Sequence, residues 1–223
     1  EIAELEGATV VKLKRKHKFP ATGTPYLAYV INRGFDALKN MELDYVMVSG
    51  AESIYPLNYV ERIIELMRRD RAVVASGTPV GEATTDLLGV RGSGRLIEAG
   101  FFKRIGFSYP LNYGFETWLL LKALSMGLRV SIYPVKFYLA RRTSMNPRKA
   151  YFYGKAMRAL GYPRLYALGR SVVISRLLKK KEIFVYTLKG YSSEVDFYER
   201  DVRNALRYYQ IREMFREVRN LIP

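Results

Sequence analysis

Glu52 is the first residue of the sequence whose position favours chemistry. It follows a short apolar run, Tyr45–Val48, which the pattern predicts to be a buried strand, and the small residues Gly50 and Ala51 stand between them. In an α/β protein the end of such a strand is a common ligand site, and a carboxylate there can meet a metal ion or a sugar hydroxyl. The alternative is an ordinary strand-to-helix turn, with Glu52 in solvent or near the dipole of the next helix.

Glu116 is the second acidic candidate. It lies in the first turn of a helix predicted over 115–126, where the dipole and the free backbone N–H groups favour an ionised carboxylate. A carboxylate held there could accept a proton from a sugar hydroxyl, and Trp118, the only tryptophan, could offer an aromatic face for stacking. The alternative is a capping glutamate with Trp118 in the core.

The composition excludes several other chemistries and limits the partners. There is no cysteine and one histidine, so cysteine nucleophiles are excluded and a zinc site is not expected. The 37 basic residues against 21 acidic ones give a net charge of +16, which favours an anionic partner such as a nucleotide diphosphate, a lipid phosphate, a membrane or nucleic acid. No apolar run has the roughly 18 residues of a spanning helix. We expect a cytoplasmic protein, with attachment to the inner face of the membrane as an option.

The order of the predicted elements indicates an α/β fold with a largely parallel sheet flanked by helices. Residues 1–145 carry the alternating pattern, and residues 146–223 are predicted to form a helical C-terminal lobe. Strands are predicted at 9–13, 45–48, 72–75, 91–97, 129–134 and 135–139, and helices at 1–6, 26–38, 56–70, 99–105, 115–126, 147–160, 164–181 and 194–222.

Five segments, in this order, resemble the family 2 glycosyltransferases, which are inverting enzymes with a nucleotide-sugar-binding α/β fold of the glycosyltransferase A type. The resemblance covers about residues 1–170, and the last segment is similar to one found in archaeal members. The segments are AYVINRGFDA from Ala28, YVMVSGAESIYPLNYVERI from Tyr45, RGSGRLIEAGFFKRIGF from Arg91, YGFETWLLLKALSMGLRV from Tyr113 and YFYGKAMRALGYPRLYALGR from Tyr151.

The resemblance implies that a sugar moves with inversion from a nucleotide-sugar donor to a glycan or lipid-linked acceptor, such as one carried on polyprenyl phosphate. Glu116 would be the catalytic base, and Glu52 would be a ligand of a divalent cation, Mg²⁺ or Mn²⁺. Contacts with the substrate are implied for Asn32, Gly50, Ala51, Gly92, Gly94, Arg95, Thr117 and Trp118.

The sequence departs from the family pattern in three places. The Asp-x-Asp motif falls on Gly50-Ala51-Glu52, which leaves one acid, and the Glu-Asp pair falls on Glu116-Thr117, which removes the usual catalytic aspartate. The first nucleotide-binding strands have no counterpart, so we expect either a piece of a longer protein or a reduced variant. Arginines could then stabilise part of the leaving charge: Arg91, Arg95, Arg141 and Arg142.

Two rival functions stay open at this point. One is a glycosyltransferase-like protein that binds its ligand without catalysis, because its acids are lost. The other is a basic nucleic-acid-binding protein, which we favour less. In the C-terminal lobe, basic residues alternate with tyrosines, which suits an anionic membrane surface. Packing of those aromatic residues on the first domain is the alternative.

Overall fold

The computed structural model describes residues 7–14, 21–82, 87–141 and 144–221, with side chains as far as residue 213. The elements in chain order are helix α1 (Pro25–Leu38), strands β1 (Tyr45–Val48) and β2 (Ser53–Ile54), helix α2 (Tyr59–Asp70), strand β3 (Ala72–Pro79), a 3₁₀ turn (Leu87–Gly89), strand β4 (Arg95–Glu98), helices α3 (Ala99–Arg104) and α4 (Phe115–Ser125), strand β5 (Arg129–Leu139), and helices α5 (Pro147–Ala159), α6 (Arg164–Leu177), α7 (Lys181–Tyr191) and α8 (Arg200–Leu221).

The five strands form one mixed sheet in the order β1-β4-β3-β5-β2. The predicted α/β class with flanking helices is confirmed, but the prediction of a largely parallel sheet is wrong. Only β3 and β5 run parallel, while β1 and β3 pair antiparallel with β4, and β2 pairs antiparallel with β5. The parallel pair of β3 and β5 needs a long crossover, and the chain makes it through β4, α3 and α4. The segment between β3 and β4 contains the 3₁₀ turn and reverses the chain, so β4 runs opposite to β3 in the sheet.

Both faces of the sheet are covered by apolar side chains. Along β3, Val73 and Val74 belong to the core shared with α1, α3 and α4, and Ala75 belongs to the core beneath α2. Two consecutive residues share a core because the register of β3 against β5 shifts between Ala72 and Val74. Helix α4 lies between the sheet and α8, and its Leu119, Leu120 and Leu121 are all buried.

The C-terminal helices pack on one another and on the first part of the chain. Helices α5 and α7 approach closely where Gly154 faces Gly190, since a Cβ on either glycine would overlap the backbone of the other helix. Helix α8 then returns to α4, and its Val202 and Leu206 join the core that contains the sheet. The predicted boundary between residues 145 and 146 stays a prediction.

Several predicted elements differ in the structure, and the helix predicted at 1–6 lies outside the described residues. Residues 9–13 form no strand, because Val10 and Val11 are exposed and pair with no neighbouring strand. The strands predicted at 129–134 and 135–139 are one strand, β5, and the strand predicted at 91–97 begins at Arg95. The helix predicted over 164–181 ends at Leu177, Lys179 is left-handed at φ 53°, and α7 begins at Lys181 without having been predicted. Helix α8 begins at Arg200 rather than 194. None of the described helices is both long and apolar enough to cross a bilayer.

Candidate functional site

A cluster of hydroxyl groups joins the loop after β1 to the glycine-rich segment before β4. Ser93 Oγ accepts a hydrogen bond from the backbone N–H of Gly50 at 2.8 Å, and it lies 2.6 Å from Ser53 Oγ and 2.9 Å from the Tyr55 hydroxyl. These contacts bring the loop that carries Ala51 and Glu52 beside the 91–94 segment. A serine suits this place because a hydroxyl can donate and accept at once.

The Tyr59 side chain contacts the same segment at Gly94. Its buried hydroxyl donates to Gly94 O at 2.8 Å and accepts from Gly77 N–H at 2.8 Å, which links β3 to the start of β4. Burial raises the pKa of the Tyr59 hydroxyl to about 12. A Cβ at Gly94 would stand 2.6 Å from that hydroxyl, and the φ of Gly94 is +77°, so both space and backbone conformation require glycine.

Glu116 lies in the first turn of α4, as predicted, and its carboxylate reaches Gly92. A Cβ on Gly92 would overlap Glu116 Oε1, so the absence of a side chain at residue 92 makes room for the carboxylate. Helix α4 begins after Gly114, which is left-handed at φ 77°. A Cβ on Gly114 would lie close to Ala156 of α5 and to Leu160, the residue after that helix.

A polar cavity of about 360 Å³ is lined in part by Glu116 and Thr117. Gly92 and two arginines, Arg91 and Arg95, also line this cavity. Arg91 forms an ion pair with Glu82, and burial lowers the pKa of the Arg91 guanidinium, an effect that the charge of Glu116 opposes.

Arg95 is almost fully buried at 1% exposure and projects from β4 towards the polar cavity. Its guanidinium donates to Val90 O at 2.8 Å and, at 3.4 Å, to the backbone oxygen of Glu116. Within the described part of the chain, Nε of Arg95 and Nε of Arg91 are buried with no hydrogen-bond partner. The cavity lining thus holds two guanidinium groups, which can bind an anionic ligand, together with the carboxylates of Glu82 and Glu116.

A second cavity, of about 580 Å³, is also lined by Glu116 and Thr117. Its walls are mainly apolar and come from α5 and from the C-terminal end of α6, through Phe152, Met157 and Ile174. One cation, Lys149, also lines it, and its Nζ donates to Ser144 O at 3.0 Å. Glu116 and Thr117 thus line an arginine-containing cavity and an apolar cavity at the same time.

Trp118 and Asn32 lie away from both cavities and have structural partners. The Trp118 ring is 6% exposed, its indole N–H donates to the Glu199 carboxylate at 3.1 Å, and its ring stacks on Tyr198 of the segment before α8. The predicted stacking face is therefore wrong, because the segment before α8 covers that ring. Asn32 bonds both the N–H and the C=O of Tyr109, each at 2.8 Å, and so fixes the loop before α4 to α1.

The donor set near Glu52 is small for a metal ion. Glu52 and Ala51 are exposed, and Glu52 is the single carboxylate of its loop. Among the described residues, no group of three or more Asp, Glu, His or Cys side chains could hold an ion. Glu52 offers the oxygen that Mg²⁺ or Mn²⁺ prefers, but other ligands must complete the shell. Arg141 is exposed just after β5, and Arg142 lies outside the described residues.

Sequence reasoning did not select Ser93, Tyr59 and Lys149 as site residues. Ser93 stands between two glycines that were selected, so its place in the segment was the available signal. In the sequence, Tyr59 is one aromatic residue of a predicted helix. Its bonds to Gly77 and Gly94 join residues far apart in the chain, so no local pattern indicates them. Lys149 was one basic residue among many.

Comparison with known proteins places the fold among glycosyltransferases. No known family and no curated protein matches the sequence. The structure is similar to that of a mannosyltransferase, PcManGT from Pyrobaculum calidifontis, solved in complex with GDP-Man and Mn²⁺, with a TM-score of 0.51 and 13% identity over 85% of this chain and 58% of that one. TarS from S. aureus aligns with a TM-score of 0.39 and 12% identity, over 82% of this chain and 40% of that one. The chain thus has a glycosyltransferase-like fold and spans little more than half the length of the mannosyltransferase.

Proposed function

We propose that this chain transfers a sugar from a nucleotide-sugar donor to an acceptor hydroxyl, with inversion at the anomeric carbon, as a family 2-like glycosyltransferase. The observation that supports this most is that Glu116 lines both cavities. An inverting displacement needs donor and acceptor on opposite sides of the reacting carbon, with a base beside the acceptor. A carboxylate shared by an arginine-containing cavity and an apolar one can meet this requirement.

In the proposed reaction, the acceptor oxygen forms a bond to the anomeric carbon while the bond from that carbon to the diphosphate oxygen breaks. The nucleoside diphosphate leaves with the bonding electron pair, and the acceptor proton passes to a carboxylate oxygen of Glu116. Arg91 and Arg95 lie in the polar cavity and stabilise the negative charge that develops on the leaving group. Gly92 leaves the space that the Glu116 carboxylate occupies.

We propose a divalent cation, Mg²⁺ or Mn²⁺, as the cofactor, because the structurally similar mannosyltransferase contains Mn²⁺ with its nucleotide sugar. Glu52 would supply one oxygen ligand, and the donor diphosphate would have to supply others. When bound, such an ion neutralises part of the charge on the diphosphate.

We also propose that the chain attaches peripherally to an anionic membrane surface through α6. Several apolar side chains of this helix face solvent, among them Leu165 at 83% exposure and Val173. Residues 161–191 contain seven basic residues and one acidic residue: Arg164, Arg170, Arg176, Lys179, Lys180, Lys181 and Lys189, against Glu182. A basic surface with exposed apolar groups suits an interface of this kind. Leu165→Asp should weaken sedimentation with vesicles that contain anionic lipid, and unchanged sedimentation would argue against this surface.

The test of the transferase function is Glu116→Gln, which keeps the shape of the side chain and removes its basicity. The wild type is incubated with Mn²⁺ and a panel of nucleotide sugars that includes GDP-mannose, and release of nucleoside diphosphate is measured with and without candidate acceptors. We expect Glu116→Gln to abolish acceptor-dependent release, while Glu61→Gln, at an exposed position of α2, retains it. Equal turnover by wild type and Glu116→Gln would disprove the role of Glu116. Binding of a nucleotide sugar without turnover in the wild type would instead support the non-catalytic alternative.

A further inference from the structure

The apolar cavity beside Glu116 has the chemistry of a site for a hydrocarbon chain. Its volume of about 580 Å³ falls within the range of small-molecule sites, about 300–1,000 Å³. Phe152, Met157, Ile174 and Leu177 contribute its apolar walls, whereas Lys149 and Glu116 contribute charged groups. A polyhydroxylated glycan would leave these apolar walls without a matching surface, because sugar hydroxyls need hydrogen-bond partners when they leave water.

Helix α6 connects this cavity to the outer surface of the protein. Ile174, Leu177 and Leu178 at its C-terminal end line the cavity, and Leu177 is also 77% exposed. The outer side of the same helix carries the exposed Leu165 and Val173, and the basic residues 179–181 follow directly. A chain that leaves an anionic membrane beside α6 would therefore meet the apolar wall of the cavity first.

We propose that the acceptor is an amphiphile with one long apolar chain and an anionic head group, and that the chain occupies the cavity between α5, the C-terminal end of α6 and the start of α4. Lys149 pairs with the anionic group, and the acceptor hydroxyl lies at Glu116. This proposal rests on the proposed transferase function for the role of Glu116, but the binding of the chain does not depend on catalysis.

The test measures binding of n-alkyl phosphates, from hexyl to decyl, by calorimetry below their micelle concentrations and without any donor. In the wild type, each added methylene should raise the affinity, by up to about fourfold if the methylene is fully buried. Leu177→Asp places a carboxylate at the cavity wall and should remove most of this dependence on chain length. Since Leu177 is largely exposed, the variant should fold, and an unchanged melting temperature checks this.

Val185→Asp is the matched control, because Val185 is an apolar residue of α7, is 58% exposed and does not line the cavity. It should keep the full dependence on chain length. Lys149→Ala should weaken binding of decyl phosphate more than binding of decanol. The proposal is overturned if affinity does not depend on chain length, or if Val185→Asp reduces that dependence as much as Leu177→Asp. Dependence on chain length without any sugar transfer would leave this proposal standing while the transferase function fails.

Discussion

The carboxylate of Glu116 occupies the space where a side chain at Gly92 would lie. This contact joins the first turn of α4 to the segment before β4, and Gly50 reaches the same segment through Ser93. A glycine with an ordinary backbone conformation is therefore required here by its neighbour rather than by its φ, which lies outside the left-handed region. The position of the proposed base depends on a residue 24 positions earlier in the chain.

Gly92→Ala should lower sugar transfer while it leaves the fold intact. The new methyl group displaces only the end of a flexible side chain, so the Glu116 carboxylate rotates away from its position, and misplacement by about 1 Å can cost about 100-fold in rate. Steady-state kinetics and thermal unfolding measure the two effects separately.

Gly34→Ala is the control for this substitution, because a Cβ on Gly34 would meet nothing within 4 Å inside α1. We expect unchanged kinetics and a gain of about 0.5–1 kcal/mol in the free energy of unfolding. Unaltered kinetics in Gly92→Ala would show that the Glu116 position is not critical.

Tyr59→Phe should destabilise the fold by about 1–3 kcal/mol, because it leaves the buried Gly77 N–H and Gly94 C=O without their partner. Denaturant unfolding gives the change in free energy. Tyr208→Phe, at a position 72% exposed, should change it by less than about 0.5 kcal/mol. Similar values for both variants would contradict a structural role for the Tyr59 hydroxyl.

The ion pair between α4 and α8 should make stability depend on pH. Lys122 Nζ donates to Asp201 Oδ2 at 2.8 Å, and this bond holds the pKa of the Asp201 carboxyl below its usual range. Burial by itself lowers the pKa of Lys122. The bond to Asp201 and the charges of Asp201 and Glu199 outweigh this effect, so the pKa of Lys122 is raised overall. A lowered acid pKa stabilises the fold above the unfolded value, about 3.9, and a raised lysine pKa does so below about 10.4.

Asp201→Asn should therefore lower the free energy of unfolding by about 0.2–1 kcal/mol at pH 7, since the pair is partly exposed. The difference from the wild type should shrink as the pH falls below about 4, where the carboxyl is protonated first in the unfolded chain, and should vanish below the lower pKa of the folded protein. Unfolding curves at pH 7 and pH 3 measure it, and a difference that grows in acid would contradict this assignment.

Mn²⁺ alone should bind weakly, and a nucleoside diphosphate should tighten its binding, because Glu52 is the single carboxylate of its loop. Calorimetry with Mn²⁺, with and without GDP, measures this difference. Glu52→Gln should reduce the tightened binding, and Glu61→Gln should not. Tight binding of Mn²⁺ alone that survives Glu52→Gln would place the ion elsewhere.

Local patterns in the sequence determined most helices and strands, since periods of 3.6 and 2 depend only on neighbours along the chain. They placed Glu52 after β1 and Glu116 in the first turn of α4. The break near Lys179 was not predicted, because neither glycine nor proline marks it.

Only the tertiary structure decided which elements meet. It set the directions of the strands, covered Trp118 with the segment before α8, and brought Gly154 against Gly190 and Gly92 against Glu116. It also made Glu116 a lining residue of both a polar and an apolar cavity. The physical reason is that these contacts join residues far apart in the chain, and burial and hydrogen bonding depend on the partner that packing supplies, which no local pattern contains.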